Sequence, residues 1–128
     1  MQVKTHKEIS AELCGAPLEL AEGRCRLSMK TVPLMRADEA NLVHGGFVFG
    51  MADYAAMLAV NHPFVVLGSA ESSFLKPVSV GDELEALAEV KESSGRKRRV
   101  EVTVSREGVT VMSGLFTCFV LDKHVLEK

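Results

Sequence analysis

The chain has 128 residues, 47% apolar and 25% charged, enough for one packed domain over residues 1–128 and too few for an added DNA-binding or membrane module. A formal net charge of −2 and a pI near 6.1 give no basic field to hold nucleic acid or an anionic bilayer, so neither is an expected partner. Cys14, Cys25 and Cys118 are odd in number, scattered, and neither form a CxxC pair nor sit at ligand spacing from a histidine, so no metal is expected and the pattern predicts a reduced, cytoplasmic protein.

Met1–Glu12 is polar and charged, without the apolar stretch a secretory signal requires. Thr5 followed by Glu8 has the form of a capping box, and Ile9 with Leu13 makes a narrow apolar stripe, which predicts a short helix over about Lys7–Cys14 ended by Gly15 and Pro17. From Leu18 to Val32, apolar residues alternate with polar ones around Gly23, the pattern of a strand bent or bulged at the glycine. Pro33–Val43 has no periodicity and reads as a loop leading to a site.

Gly45 and Gly46 open a central segment that is apolar, small or aromatic as far as Asn61, except for Asp53. A helix apolar almost all round must be covered almost all round. The longest apolar run, Phe47–Val60, has 14 residues and contains Asp53, short of the roughly 20 that cross a bilayer, so a buried helix is predicted. Asn61-His62-Pro63 stops it.

Strands follow. Phe64–Leu67 and Ala70–Leu75 read as two strands or one bent one, and a turn at Gly81-Asp82 leads to Glu83–Glu92, where Leu84, Ala86, Ala88 and Val90 share a face. Lys97–Arg106 puts Val100, Val102 and Val104 on one face; Glu107-Gly108 turns the chain into Val109–Leu121, where Phe116, Cys118 and Val120 share a face. One buried helix and an antiparallel meander make an α+β layer architecture in which five to six strands wrap the helix. Such a sheet leaves an edge open, and two-fold pairing with a second copy is the natural remedy.

Asp53 is the first candidate for chemistry, because an unpaired carboxylate within an apolar helix is costly and something must compensate. It either fixes helix register at a wet seam or serves a site. His44-Gly45-Gly46 lies just before the helix, where first-turn N–H groups lack internal partners and suit an oxygen that becomes negative; alone, the tripeptide is equally a plain loop-to-helix turn. An acid nine residues after the histidine makes the pair more specific.

These residues, with Ala52-Asp53, Phe74-Leu75-Lys76-Pro77 and Gly81-Asp82, resemble the signature of the hot-dog acyl-CoA thioesterases of the PaaI-like, phenylacetate-pathway type, over about Asn41–Leu121. The resemblance implies a long helix wrapped by an antiparallel sheet, homodimers joined edge to edge or homotetramers built as pairs of dimers, and sites between subunits. It also implies Asp53 as general base or nucleophile, Gly45 as oxyanion-hole donor with Gly46 behind it, and His44 beside the thioester. Its substrate is acyl-CoA, and CoA belongs to the substrate, so no cofactor is implied.

Two positions depart from the pattern. Relatives often have asparagine about six residues before the histidine, where this chain has Asp38, and serine where it has Leu67. Asn41 substitutes in the site or, as a residue at ease in left-handed conformation, only shapes the turn. Ser69, Glu71 and Ser72 are the candidate replacements for the serine.

Arg96-Lys97-Arg98-Arg99 reads as a solvated turn or as a grip for CoA phosphates, and Lys76 as another such contact. His6, His62 and His124 have no ligand spacing and read as surface or capping residues, Met57 and Met112 as packing, and Cys118 has no local histidine to activate it. The functional readings are thioester hydrolysis, acyl-CoA binding or sensing without catalysis, and hydration or dehydration of an acyl thioester.

Overall fold

A computed structural model describes residues 1–128. Helix α1 spans Ala11–Cys14 and helix α2 Gly45–Val60; the strands are β1 Ala16–Ala21, β2 Arg24–Lys30, β3 Val65–Phe74, β4 Glu83–Ser94, β5 Lys97–Arg106 and β6 Val109–Val120. All six strands pair antiparallel in one sheet, in the order β1-β2-β4-β5-β6-β3.

The two periodicities in the sequence account for the core. Leu84, Ala86 and Ala88 of β4 and Val100, Val102 and Val104 of β5 are buried, as are Phe116 and Cys118 of β6 and Cys25, Leu27 and Met29 of β2. That inward face wraps α2, nine of whose residues are buried, including Ala52, Ala55, Ala56 and Ala59. Met57 and Met112 belong to the same cluster of 26 buried residues. The expected arrangement of one helix wrapped by five to six strands is therefore present. No helix is long and apolar enough to cross a membrane.

Two local expectations change, and one open alternative is decided. The first helix begins at Ala11, not Lys7, and its cap is Ser10, whose Oγ accepts the Leu13 N–H at 3.3 Å. Thr5 cannot cap because its side chain is buried, and His6 takes a left-handed φ of 54° that no helix continues through. Residues Leu18–Val32 form a hairpin in place of one bent strand: Gly23 at φ 74° reverses the chain so that Ala21 pairs with Arg24. The segment after α2 is one strand, β3, with its register shifted between Leu67 and Ser69. Gly68 sits at that irregularity under the Phe119 ring, where a side chain has no room.

Strand β3 lies at an edge of the sheet. From Gly68 to Phe74 all of its residues but Ala70 are exposed, and Phe74 and Leu75 are each 54% exposed.

Candidate active site

The loop before α2 is built by hydrogen bonds despite its irregular sequence. A short 3-10 turn at Pro33–Met35 buries Met35, whose carbonyl accepts the His44 N–H at 2.9 Å. Arg36 then bridges Val43, Leu42 bridges Ser79, and Val43 N–H donates to the Val78 carbonyl at 2.8 Å. Asp38 Oδ1 accepts N–H bonds from Ala40 at 2.9 Å and Leu42 at 3.2 Å, so its carboxylate shapes its own turn. Asn41 adopts a φ of 65°, and its carbonyl accepts from Val80. The turn-forming alternative for Asn41 is the one its backbone satisfies.

His44 is the N-cap of α2 and makes no side-chain capping bond. The N–H groups of Gly45 and Gly46 have no partner in the chain, as the first turn of a helix requires. The His44 ring folds back over Gly46 so closely that a β-carbon there would stand 2.8 Å from Nε2. Gly45 opens into a cavity of about 250 Å³ walled by Leu42, Val48, Phe74 and Pro77, with Lys76 also lining it. The resulting niche has free backbone donors on an apolar wall, and an exposed lysine beside them.

Asp53 lies two turns further along α2. It lines a second cavity, of about 590 Å³, with Thr5, His6, Met57, Val65, Leu67 and His124. Its Oδ1 is sealed from solvent and has no hydrogen-bond partner. Burial pushes the carboxyl above its ordinary value, while the nearby His6 opposes that shift. Eight residues separate Gly45 from Asp53, which is roughly 12 Å along a helix axis. A single chain therefore keeps its carboxylate away from its own glycine turn.

The remaining sequence candidates are placed as follows. Leu67 lines the Asp53 cavity, so an apolar wall stands there; Ser69, Glu71 and Ser72 do not line it. Arg96 pairs with Asp122, Arg98 donates to the carbonyls of Gly95 and Lys97, and Arg99 approaches Glu92 at 3.9 Å. None of these arginines, nor Lys97, lines either cavity. Burial pushes the thiols of Cys25 and Cys118 up to about 12, which leaves both protonated and unreactive.

His62 and His124 act as expected: each Nδ1 accepts a backbone N–H two residues on, from Phe64 and Leu126, both at 3.0 Å. His6 does not. It is half-buried against Tyr54 and shares the cavity of Asp53. The residues that hold it there, Thr5 and Asn61, carry no local sequence signal beyond polarity in a buried setting.

The profile of the thioesterase superfamily matches residues 40–113, more than half of the chain. The chain belongs to the thioesterase superfamily. Its wrapped helix is the hot-dog arrangement of that family, and the PaaI-like resemblance holds: a mutant of the phenylacetic acid degradation protein PaaI from Thermus thermophilus has 30% sequence identity and a TM-score of 0.79, covering 87% of this chain and 97% of that one. An uncharacterized protein from Pyrococcus horikoshii has 53% identity and a TM-score of 0.98, covering 99% of this chain and 98% of that one. A methylthioribose-1-phosphate isomerase from Aquifex aeolicus is 49% identical over 123 residues, 95% of this chain. The chain spans 27% of the length of that relative.

Proposed function

We propose that this superfamily member hydrolyses an acyl-CoA thioester to the free acid and CoA. The observation that carries the reading is Asp53: a carboxylate in an apolar helix, with one oxygen unpartnered, at the wall of a cavity. Asp53 takes a proton from water as that water attacks the carbonyl carbon, or attacks the carbon itself to form an anhydride that water then hydrolyses to the acid; the carbonyl oxygen becomes negative against the N–H of Gly45; the C–S bond breaks, and the thiolate of CoA leaves and takes up the proton given up by the water. His44 and Gly46 shape the turn, Asn41 sets the loop before it, and no metal is required by this scheme. Lys76, beside the Gly45 niche, is favoured over Arg96, Lys97 and Arg98 as a phosphate contact, because it lines that niche.

The separation between Asp53 and Gly45 within one chain supports a site shared between copies. The exposed edge of β3 supports a homodimer joined there, with a dimer of dimers as the larger assembly. The unpaired cysteines suit a reducing compartment such as the cytoplasm.

A second reading, acyl-CoA binding without turnover, is favoured by Leu67 at the cavity wall and by the engagement of Asp38 in its own turn. A panel of acyl-CoAs with detection of released thiol separates the two. The expected result is turnover by the wild type and a loss of about 100-fold or more in Asp53→Asn. Tight CoA binding without thiol release supports the binding protein, and hydration of an enoyl-CoA supports a hydratase.

A further inference from the structure

The segment Gln2–Lys7 is pinned to the helix that carries Asp53. Asn61 is 8% exposed and ends α2 in left-handed conformation, with φ 49° and ψ 48°. Its Nδ2 donates to the Gln2 carbonyl at 2.9 Å and its Oδ1 accepts the Lys4 N–H at 2.8 Å, a two-bond grip like that between neighbouring strands. Next in the chain, Thr5 turns inward, 5% exposed, and its Oγ1 lies 2.7 Å from His6 Nδ1. Whether the hydroxyl donates or accepts, that nitrogen is occupied and Nε2 is the one left for other partners. His6 holds a φ of 54°, in the left-handed region that histidine, like asparagine, enters more readily than most side chains. The imidazole rests 6.3 Å from the Tyr54 ring, centre to centre, and lines the cavity into which Asp53 opens.

We propose that His6 is a positioning residue for Asp53: the strap Gln2–Lys7, pinned by Asn61 and indexed by Thr5, holds the imidazole on the wall of the cavity that Asp53 also lines, from where it favours the ionised carboxylate. Three independent features converge on this one ring: the cavity it shares with Asp53, the left-handed backbone, and the Thr5 bond. A ring that only filled space would not need an occupied Nδ1. Each group feels the other's charge, for Asp53 opposes the lowering of the His6 value that burial causes, and His6 opposes the raising of Asp53. The other charged or titratable neighbours are Lys4 and Lys7, both exposed, and His124, whose Nδ1 is engaged by Leu126. The thiols of Cys14 and Cys118 feel the Asp53 charge and are pushed up by burial, so both stay neutral near pH 7. Burial holds the His6 value below the ordinary imidazole value, so its charge changes on the acid side, toward the raised value of Asp53.

The role in turnover rests on the thioesterase reading, whereas the pairing itself does not, and the test keeps them apart. Its first arm is NMR titration of the His6 ring in the wild type and in Asp53→Asn, with the converse titration of the Asp53 carboxyl carbon in His6→Asn. Asparagine is chosen because it tolerates the left-handed backbone and does not titrate. The His6 value is expected to fall by about half a unit or more when the carboxylate is removed, and the Asp53 value to rise by about as much when the imidazole is removed. Two unmoved titrations overturn the proposal, whether or not any thioester is hydrolysed. The second arm is the pH profile of kcat/KM for an acyl-CoA. In His6→Asn the acid limb is expected to move to higher pH with KM within about twofold, and Thr5→Val is expected to move it the same way by less. A loss of rate that is uniform across pH marks a structural role and overturns the proposal. Absence of hydrolysis in the wild type sinks the thioesterase reading alone, and the titrations still decide the pairing.

Discussion

The Asn61 Oδ1 and the Lys4 N–H lie 2.8 Å apart although 57 residues separate them in sequence. With the second bond, to the Gln2 carbonyl, this makes one side chain both the stop of the central helix and the anchor of the N-terminal segment. A helix ending in a left-handed residue usually uses glycine, and asparagine is the next best choice. Here asparagine does what glycine cannot, because its amide supplies a donor and an acceptor in the plane that an extended backbone needs.

Asn61→Gly is therefore informative. It preserves the left-handed cap and deletes both long-range bonds. Each net hydrogen bond contributes about 0.5–1.5 kcal/mol, so the loss in stability is expected to be about 1–3 kcal/mol by urea unfolding. The first segment to lose protection in hydrogen exchange is expected to be the one around Lys4. A change confined to a few tenths of a kcal/mol would mean the anchor contributes little and the segment is held by burial of Thr5 alone.

The central helix and the strands after it were legible because their signals are local and redundant. A run of 14 residues, apolar or small but for Asp53, predicts a covered helix, and Val100, Val102 and Val104 fit a half-buried strand. The first thirty residues were less legible because local signals there competed with tertiary ones. Thr5 and Glu8 have the form of a capping box, yet burial of the Thr5 side chain takes its hydroxyl away from the helix end. Gly23 fits a bulge as well as a turn, and only the antiparallel pairing of Ala21 with Arg24 selects the turn. Asp53, His44 and Gly45 stood out in the sequence because each breaks or punctuates an apolar pattern. The place of His6 was invisible, since it depends on a grip by Asn61 and on a backbone angle that no local pattern announces.

Two glycines of the same helix are expected to respond oppositely in function. Gly50 lies inside α2, and a β-carbon added there meets nothing within 4 Å. Gly50→Ala is expected to stabilise the chain by about 0.5–1 kcal/mol through reduced freedom of the unfolded state, with turnover unchanged. Gly46→Ala adds the same methyl at the first turn, but within 2.8 Å of His44 Nε2, so the ring must swing away from the glycine turn. Turnover is expected to fall by about tenfold or more without loss of melting temperature. Thermal melts paired with the thiol-release assay check both. Equal turnover in the two variants would detach the His44 ring from the chemistry.

The pH dependence of stability isolates the cost of the Asp53 charge. Burial raises the carboxyl in the folded chain above its ordinary value of 3.8. The folded state then holds the proton more tightly than the unfolded chain, so stability is fullest below the ordinary value and drains as pH rises through the raised one. Above both, the whole penalty of the buried charge is present. Asp53→Asn removes that charge, and at pH 8 it is expected to melt about 2–6 °C above the wild type. The gap should close as pH falls toward the ordinary carboxylate value, which differential scanning fluorimetry across pH can follow. A variant that melts below the wild type at pH 8 would show the carboxylate to be held by donors from a second copy. The energy of Asp53 would then belong to the interface, and its melting temperature would depend on protein concentration.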